Sequence, residues 1–119
     1  MSDTQSPSRL EQGSLETGHV PSGSVEYAVI VPAGLDAGNG PLPLLLQLHG
    51  AGGSRQQLVD EHASGVWDRR RADGLIPPMV IAMISGLGST YMDYFDGSQR
   101  WATFLRDEFV PFCEATYNC

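Results

Sequence analysis

Cysteine and positive charge are both scarce in this sequence. Only two of its 119 residues are cysteines, Cys113 and Cys119, and their positions near the end match no spacing typical of a metal site or a disulfide framework. Seven Lys and Arg residues stand against 14 Asp and Glu residues, which gives a net charge of −7. This acidic balance disfavours binding to nucleic acid or to an anionic membrane surface. We therefore expect no metal, no cofactor, and no nucleic-acid or membrane partner.

Long apolar runs are missing as well. No window approaches the roughly 20 apolar residues of a transmembrane helix, and the opening residues MSDTQSPSRLEQGSLETG lack the basic region and apolar stretch of a signal peptide. These two absences predict a cytoplasmic protein. The hydrophobic content of 41% is enough for the modest core of one domain.

Residues 1–24 and residues 25–119 differ in pattern. The first segment is rich in Ser, Gly, Thr and Glu and has no apolar period, so it is predicted to be disordered or loosely attached. The second segment carries the apolar runs of the predicted domain. Three of these runs predict strands, and the last two are continuous enough for strands buried on both faces: Val25–Val31, Leu44–Leu48 and Met79–Ile84.

Helices are predicted between and after these strands. Ser54 with Gln57 three residues later matches a capping box, so a helix should begin near Arg55. From Gln99 onward, apolar residues recur at spacings of three and four, which is typical of an amphipathic helix, and Pro111 should bend it. The resulting order of elements predicts an α/β fold with a largely parallel sheet.

Two glycine-containing loops follow the two buried strands: HGAGGS and SGLGSTYMDYFDGS. In open α/β sheets, ligands bind outside the carboxyl ends of the strands, so these loops are the candidates for a site. Exposed backbone N–H groups in a glycine-rich loop could stabilise an oxyanion during acyl transfer. A phosphate could use the same geometry. The sequence, however, contains neither a P-loop nor a GxGxxG fingerprint.

Four segments of the chain resemble, in order, the esterase family of α/β-hydrolases that includes feruloyl esterases, S-formylglutathione hydrolase and the mycolyltransferases. The similarity covers Val25–Asn118, which corresponds to the N-terminal half of that family's domain, so 25–119 is interpreted as a partial α/β-hydrolase domain. The segments are LLLQLHGAGGS, PMVIAMISG, YMDYFDGS and WATFLRDEFVPFCEATYN.

The resemblance implies a serine-type carboxylic ester or thioester hydrolase with a small-molecule ester as substrate. It places one oxyanion donor in the backbone of Ala51 and Gly52. It also places the second loop near a substrate cleft, although the same residues fit ordinary turn chemistry equally well. The candidate substrate-binding residues in that loop are Tyr91, Asp93, Tyr94 and Asp96.

The nucleophile of that family is absent from these 119 residues. The stretch GGSRQ, which begins at Gly52, lacks the closing glycine of GxSxG and lies in the wrong loop. The serine and the Asp/Glu and His of the triad would all follow Cys119. This polypeptide alone is therefore expected to hydrolyse no ester, and the alternative is a non-catalytic α/β module that binds a small acyl or aromatic ligand, or an inactive truncated product.

Three further expectations concern structure rather than chemistry. His49 is interpreted as a brace for its glycine loop, and His62, beside Asp60 and Glu61, as part of a solvated charged face rather than a metal site. In the strand order of the family, Leu44–Leu48 would have a single neighbour in this chain. Its uncharged open edge then predicts self-association.

Overall fold

The computed structural model describes residues 8–32, 41–50, 53–86, 91–117 and 119. They form a four-stranded sheet with helices on it, so the predicted α/β class is confirmed. No helix in this part of the chain is long and apolar enough to cross a bilayer. The elements are β1 Arg9–Glu16, β2 Ser24–Val31, β3 Leu44–Leu46, α1 Gln56–Ser64, α2 Val66–Ala72, β4 Val80–Ile84, α3 Trp101–Phe104, a π-helical turn Leu105–Phe109, and α4 Val110–Tyr117.

The sheet is mixed rather than largely parallel, which corrects the sequence-based prediction. Its strand order is β1-β2-β4-β3, and β2 pairs antiparallel with both β1 and β4. Only β3 and β4 are parallel, because the chain between them crosses over through α1 and α2. This parallel pair brings the carboxyl ends of β3 and β4 to the same edge of the sheet.

The prediction of a disordered or loosely attached segment before Val25 is wrong for β1. Arg9–Glu16 pairs with Ser24–Val31 along all eight residues of each strand. Most of β1 is exposed, so its side chains had no apolar alternation to reveal it. The glycine at position 13 is explained only by the structure, since a Cβ there would lie 2.6 Å from the Tyr27 hydroxyl oxygen.

β3 and β4 differ in burial, although both were predicted to be buried on both faces. Every residue of β4 is buried, whereas Leu45 in the middle of β3 is 38% exposed and its two neighbours are only partly buried. Among the described residues, β3 pairs with β4 alone, as the family strand order predicted. An edge strand lacks the second neighbour and the covering elements that bury a central strand.

The core lies on both faces of the sheet, in two layers. On one face, alternate residues of β2 and β4 pack against Trp101, Phe104 and Phe109 of the C-terminal helical segment. On the other face, the remaining residues of the same strands pack against Leu58 of α1. The sheet is thus covered on both sides by helices.

The predicted amphipathic helix after Gln99 is confirmed, with a π-helical turn where a bend at Pro111 was expected. Leu105–Phe109 adopts the wider i to i+5 geometry just before α4. A proline has no N–H for the carbonyl four residues earlier, and its ring would crowd that carbonyl. A π-helical turn ahead of Pro111 relieves this conflict without ending the helix.

Candidate functional site

The loops that follow β3 and β4 lie side by side at the carboxyl edge of the sheet. Ala51 and Gly52, the predicted oxyanion donors, lie outside the described residues, so their role stays a prediction. The residues on either side of them are described, and the Gly53 N–H donates a hydrogen bond to the Gly50 carbonyl at 3.1 Å. This bond joins the two residues that flank the predicted donors in the sequence.

His49 links the backbone at Gly50 to the loop after β4. The Gly86 N–H donates to Nε2 of His49 at 2.7 Å, so the ring proton must sit on Nδ1, which donates to the Gly50 carbonyl at 2.7 Å. The residue is only 4% exposed. Both ring nitrogens are therefore engaged, which confirms the predicted bracing role and leaves His49 with no free atom to act as a general base.

A second hydrogen bond joins the two loops at the start of α1. The Arg55 N–H donates to Oγ of Ser85 at 3.0 Å. The predicted capping box is only half formed, because Oγ of Ser54 accepts from the Gln56 N–H while the Gln57 side chain donates to Glu61. Ser85 thus takes over part of the capping at the N-terminus of this helix.

Asp93 and Asp96, two of the predicted substrate-binding residues, have their carboxylates engaged within the protein. Asp93 accepts hydrogen bonds from N–H and Oγ1 of Thr103 at 3.0 and 2.6 Å, and these bonds lower the pKa of its carboxyl group. Asp96 accepts from N–H and Oγ of Ser98 at 2.9 and 2.7 Å, with the same effect on its pKa. Asp93 therefore anchors its loop to α3, and Asp96 shapes a turn.

Tyr94 and Tyr91 complete the predicted set. Tyr94 is 37% exposed and its N–H donates to the Gln99 carbonyl at 2.7 Å, within a hairpin-like loop. Tyr91 donates its hydroxyl proton to the His49 carbonyl at 2.9 Å. Contact between any of these four residues and a substrate stays a prediction.

Sequence reasoning did not single out Ser85 and Gly86, which bond the loop after β4 to the loop after β3. These two residues directly follow β4, and their position after a buried strand was the only sequence signal for them. Met92 and Phe95, which are 64% and 107% exposed, were also not predicted as site residues. Together with Tyr94 they place exposed apolar surface on the loop beside the candidate site.

His62 does not belong to the solvated charged face predicted for it. Its Nε2 donates to the Ser8 carbonyl at 3.0 Å, and Glu61 accepts from Nε1 of Trp67 at 3.0 Å. Within the ranges that the structure describes, no group of three or more His, Cys, Asp or Glu side chains is arranged to hold a metal ion.

Replacing Asp93 by alanine should lower the thermal unfolding midpoint at pH 7, since it leaves the buried Thr103 without its partner. The pKa of Asp93 is lowered in the folded state, so its stabilisation is present above the unfolded value and is lost as the pH falls through the folded one. The difference from the wild-type chain should therefore shrink below about pH 4. Asp96→Ala is the matched control. It should lower the unfolding midpoint less, because the Asp96 carboxylate bonds to Ser98 within its own turn.

If the unfolding midpoint of Asp93→Ala lay below that of the wild-type chain by the same amount at pH 7 and at pH 3, the carboxylate charge would contribute nothing to stability. Thermal melts followed by circular dichroism at both pH values give the comparison.

Comparisons with known proteins identify the fold. No family model matches the chain, and no curated protein matches it either. Among solved structures it is similar to a ferulic acid esterase, with a TM-score of 0.79 and 24% identity over 94% of this chain and 44% of that one. A feruloyl esterase module from Clostridium thermocellum complexed with sinapinate gives a TM-score of 0.71 at 16% identity, over 99% of this chain and 41% of the other.

An S-formylglutathione hydrolase from Agrobacterium tumefaciens has a TM-score of 0.70 at 16% identity, over 94% of this chain and 45% of that protein. The chain thus spans less than half the length of the solved structures that it matches. The mixed sheet, its flanking helices and these similarities agree with the resemblance that the sequence motifs carry. The chain therefore has the fold of an esterase-like α/β-hydrolase, over part of that domain.

Proposed function

We propose that this chain supplies the oxyanion-binding loop of a serine-type carboxylic ester or thioester hydrolase. The observation that carries the proposal is the anchoring of Gly50 and Gly53, the residues that flank Ala51 and Gly52. The Gly50 carbonyl accepts from both the Gly53 N–H and Nδ1 of His49, and His49 is itself fixed to Gly86. A donor must be held in place before the reaction to stabilise the charge that develops on the substrate oxygen.

The nucleophile and its base would come from residues beyond these 119. The sequence contains no GxSxG, and the buried His49 has both ring nitrogens occupied. In the complete reaction, the base would take the serine proton as the serine oxygen attacks the ester carbonyl, and the N–H groups of the glycine loop would stabilise the tetrahedral oxyanion. Collapse of this intermediate would break the bond to the alcohol or thiol, which leaves with the proton from the base. Water would then attack the acyl-serine in the same way, releasing the acid and restoring the serine hydroxyl.

A small-molecule ester of an aromatic acid is the substrate class that we propose. Two of the similar structures are named for ferulic acid or feruloyl esterase, and one of these is described as a complex with sinapinate. The exposed Met92, Tyr94 and Phe95 add apolar surface on the adjacent loop, which suits an aromatic ring. The cytoplasm stays the proposed location, since the free thiols of Cys113 and Cys119 fit a reducing compartment.

Kinetic assays of two polypeptides test the proposal. The protein expressed from its complete reading frame should hydrolyse a feruloyl ester and p-nitrophenyl acetate with saturation, and a serine-directed phosphonate should abolish the activity. The 119-residue chain alone is the matched control and should show no saturable hydrolysis. Absence of hydrolysis by both polypeptides, with binding of the aromatic acid retained, would favour the alternative of a non-catalytic ligand-binding module.

A further inference from the structure

Tyr91 has an unusual backbone for its residue type. Its φ of 61° makes it the one non-glycine residue with positive φ in the part of the chain that the structure describes. A bulky residue seldom adopts this left-handed conformation, and it persists only where surrounding contacts hold it. The contacts that hold Tyr91 therefore indicate what its position is for.

The described contacts of Tyr91 lead to His49 and Gly86, at the junction where the two loops meet. The Tyr91 hydroxyl donates to the His49 carbonyl at 2.9 Å, and the two rings meet edge to face with centroids 5.5 Å apart. The ring also lies directly over Gly86, where a Cβ would be 2.4 Å from Cε1 of Tyr91. Burial raises the pKa of the Tyr91 hydroxyl, so this group stays protonated and able to donate.

His49 is consequently held at two points. Tyr91 fixes its backbone carbonyl, while the Gly86 N–H fixes its ring. The remaining ring nitrogen of His49 then fixes the Gly50 carbonyl, which also receives the Gly53 N–H. A displacement of Tyr91 would pass through His49 to Gly50 and Gly53, which flank the predicted oxyanion donors.

We propose that Tyr91 is a positioning residue, which acts through His49 to orient the backbone of Gly50 and Gly53 on either side of the predicted oxyanion donors, and does not bind the substrate itself. This assignment rests on the proposed function and replaces the substrate-binding role that the resemblance implied for Tyr91. The hydroxyl proton is committed to the His49 carbonyl, so the hydroxyl cannot donate to a ligand without releasing that carbonyl.

The test is Tyr91→Phe in the protein expressed from its complete reading frame. The ring stays over Gly86 but the hydroxyl is lost, so kcat should fall about tenfold while KM stays within about twofold. The affinity for a trifluoromethyl ketone transition-state analogue should fall by the same factor as kcat/KM. Tyr27→Phe, which removes a hydroxyl on β2 away from this junction, is the matched control and should change neither constant.

A rise in KM with unchanged kcat would overturn the proposal, because it would mean that Tyr91 contacts the substrate. Hydrogen exchange in the 119-residue chain separates this outcome from failure of the proposed function. Tyr91→Phe should speed exchange of the Gly86 and Gly53 amides even if no hydrolysis is found, whereas wild-type exchange rates at both amides would refute the positioning role.

Discussion

Replacing Gly52 by valine in the protein expressed from its complete reading frame is expected to lower kcat at least 100-fold and to change KM little. A backbone donor aimed at the oxyanion acts mainly in the transition state, so its displacement affects kcat more than ground-state binding. A β-branched side chain is stiffer and bulkier than glycine, so it would disturb a backbone N–H that has to approach the substrate carbonyl closely. The hydrogen bond between Gly53 and Gly50 limits how far the flanking backbone can move to accommodate the new side chain.

Gly18→Val is the matched control for this substitution. A Cβ at Gly18 meets nothing within 4 Å, and this residue lies in the turn between β1 and β2. The kcat of the Gly18→Val protein should equal that of the wild-type protein. If Gly52→Val were equally active, the loop after β3 would have no part in the mechanism.

The 119-residue chain is expected to self-associate, and Leu45→Lys is expected to convert it to a monomer. We propose that the open edge of β3 is the contact. Leu44–Leu46 pairs only with β4 among the described residues, and Leu45 and Leu48 are 38% and 44% exposed. No charge interrupts residues 41–48, although edge strands normally carry one that blocks further pairing.

Size-exclusion chromatography with light scattering measures the effect. Leu75→Lys is the control, because Leu75 is 72% exposed and lies between α2 and β4, so the same change of charge should leave the association intact. A monodisperse wild-type monomer with strong amide protection across Leu44–Leu48 would show that this edge is already covered.

Strongly patterned segments were predictable from sequence, and weakly patterned ones were not. β2, β4 and the C-terminal helical segment follow from apolar runs or spacings because each is packed into the core. β1 escaped detection because its stability comes from pairing with β2 rather than from burial of its own side chains. The predominance of antiparallel pairs was missed because strand order depends on which strands meet in space.

The candidate site was predictable in location but not in its internal contacts. The glycine loop after β3 and the polar loop after β4 could be chosen because both follow apolar strands. The bond between His49 and Gly86 joins residues 37 positions apart, and no local pattern encodes it. The positive φ of Tyr91 likewise depends on Gly86 leaving room for its ring.

A crystal structure of the complete protein inactivated by a serine-directed phosphonate would test most directly whether the backbone of Ala51 and Gly52 binds the oxyanion. The phosphonyl oxygen stands in for the oxyanion of the tetrahedral intermediate. We predict that it lies about 2.7–3.1 Å from the N–H of Ala51 or Gly52, with His49 still bonded to Gly86. A phosphonyl oxygen held entirely by other donors, with this turn directed away from it, would contradict the account.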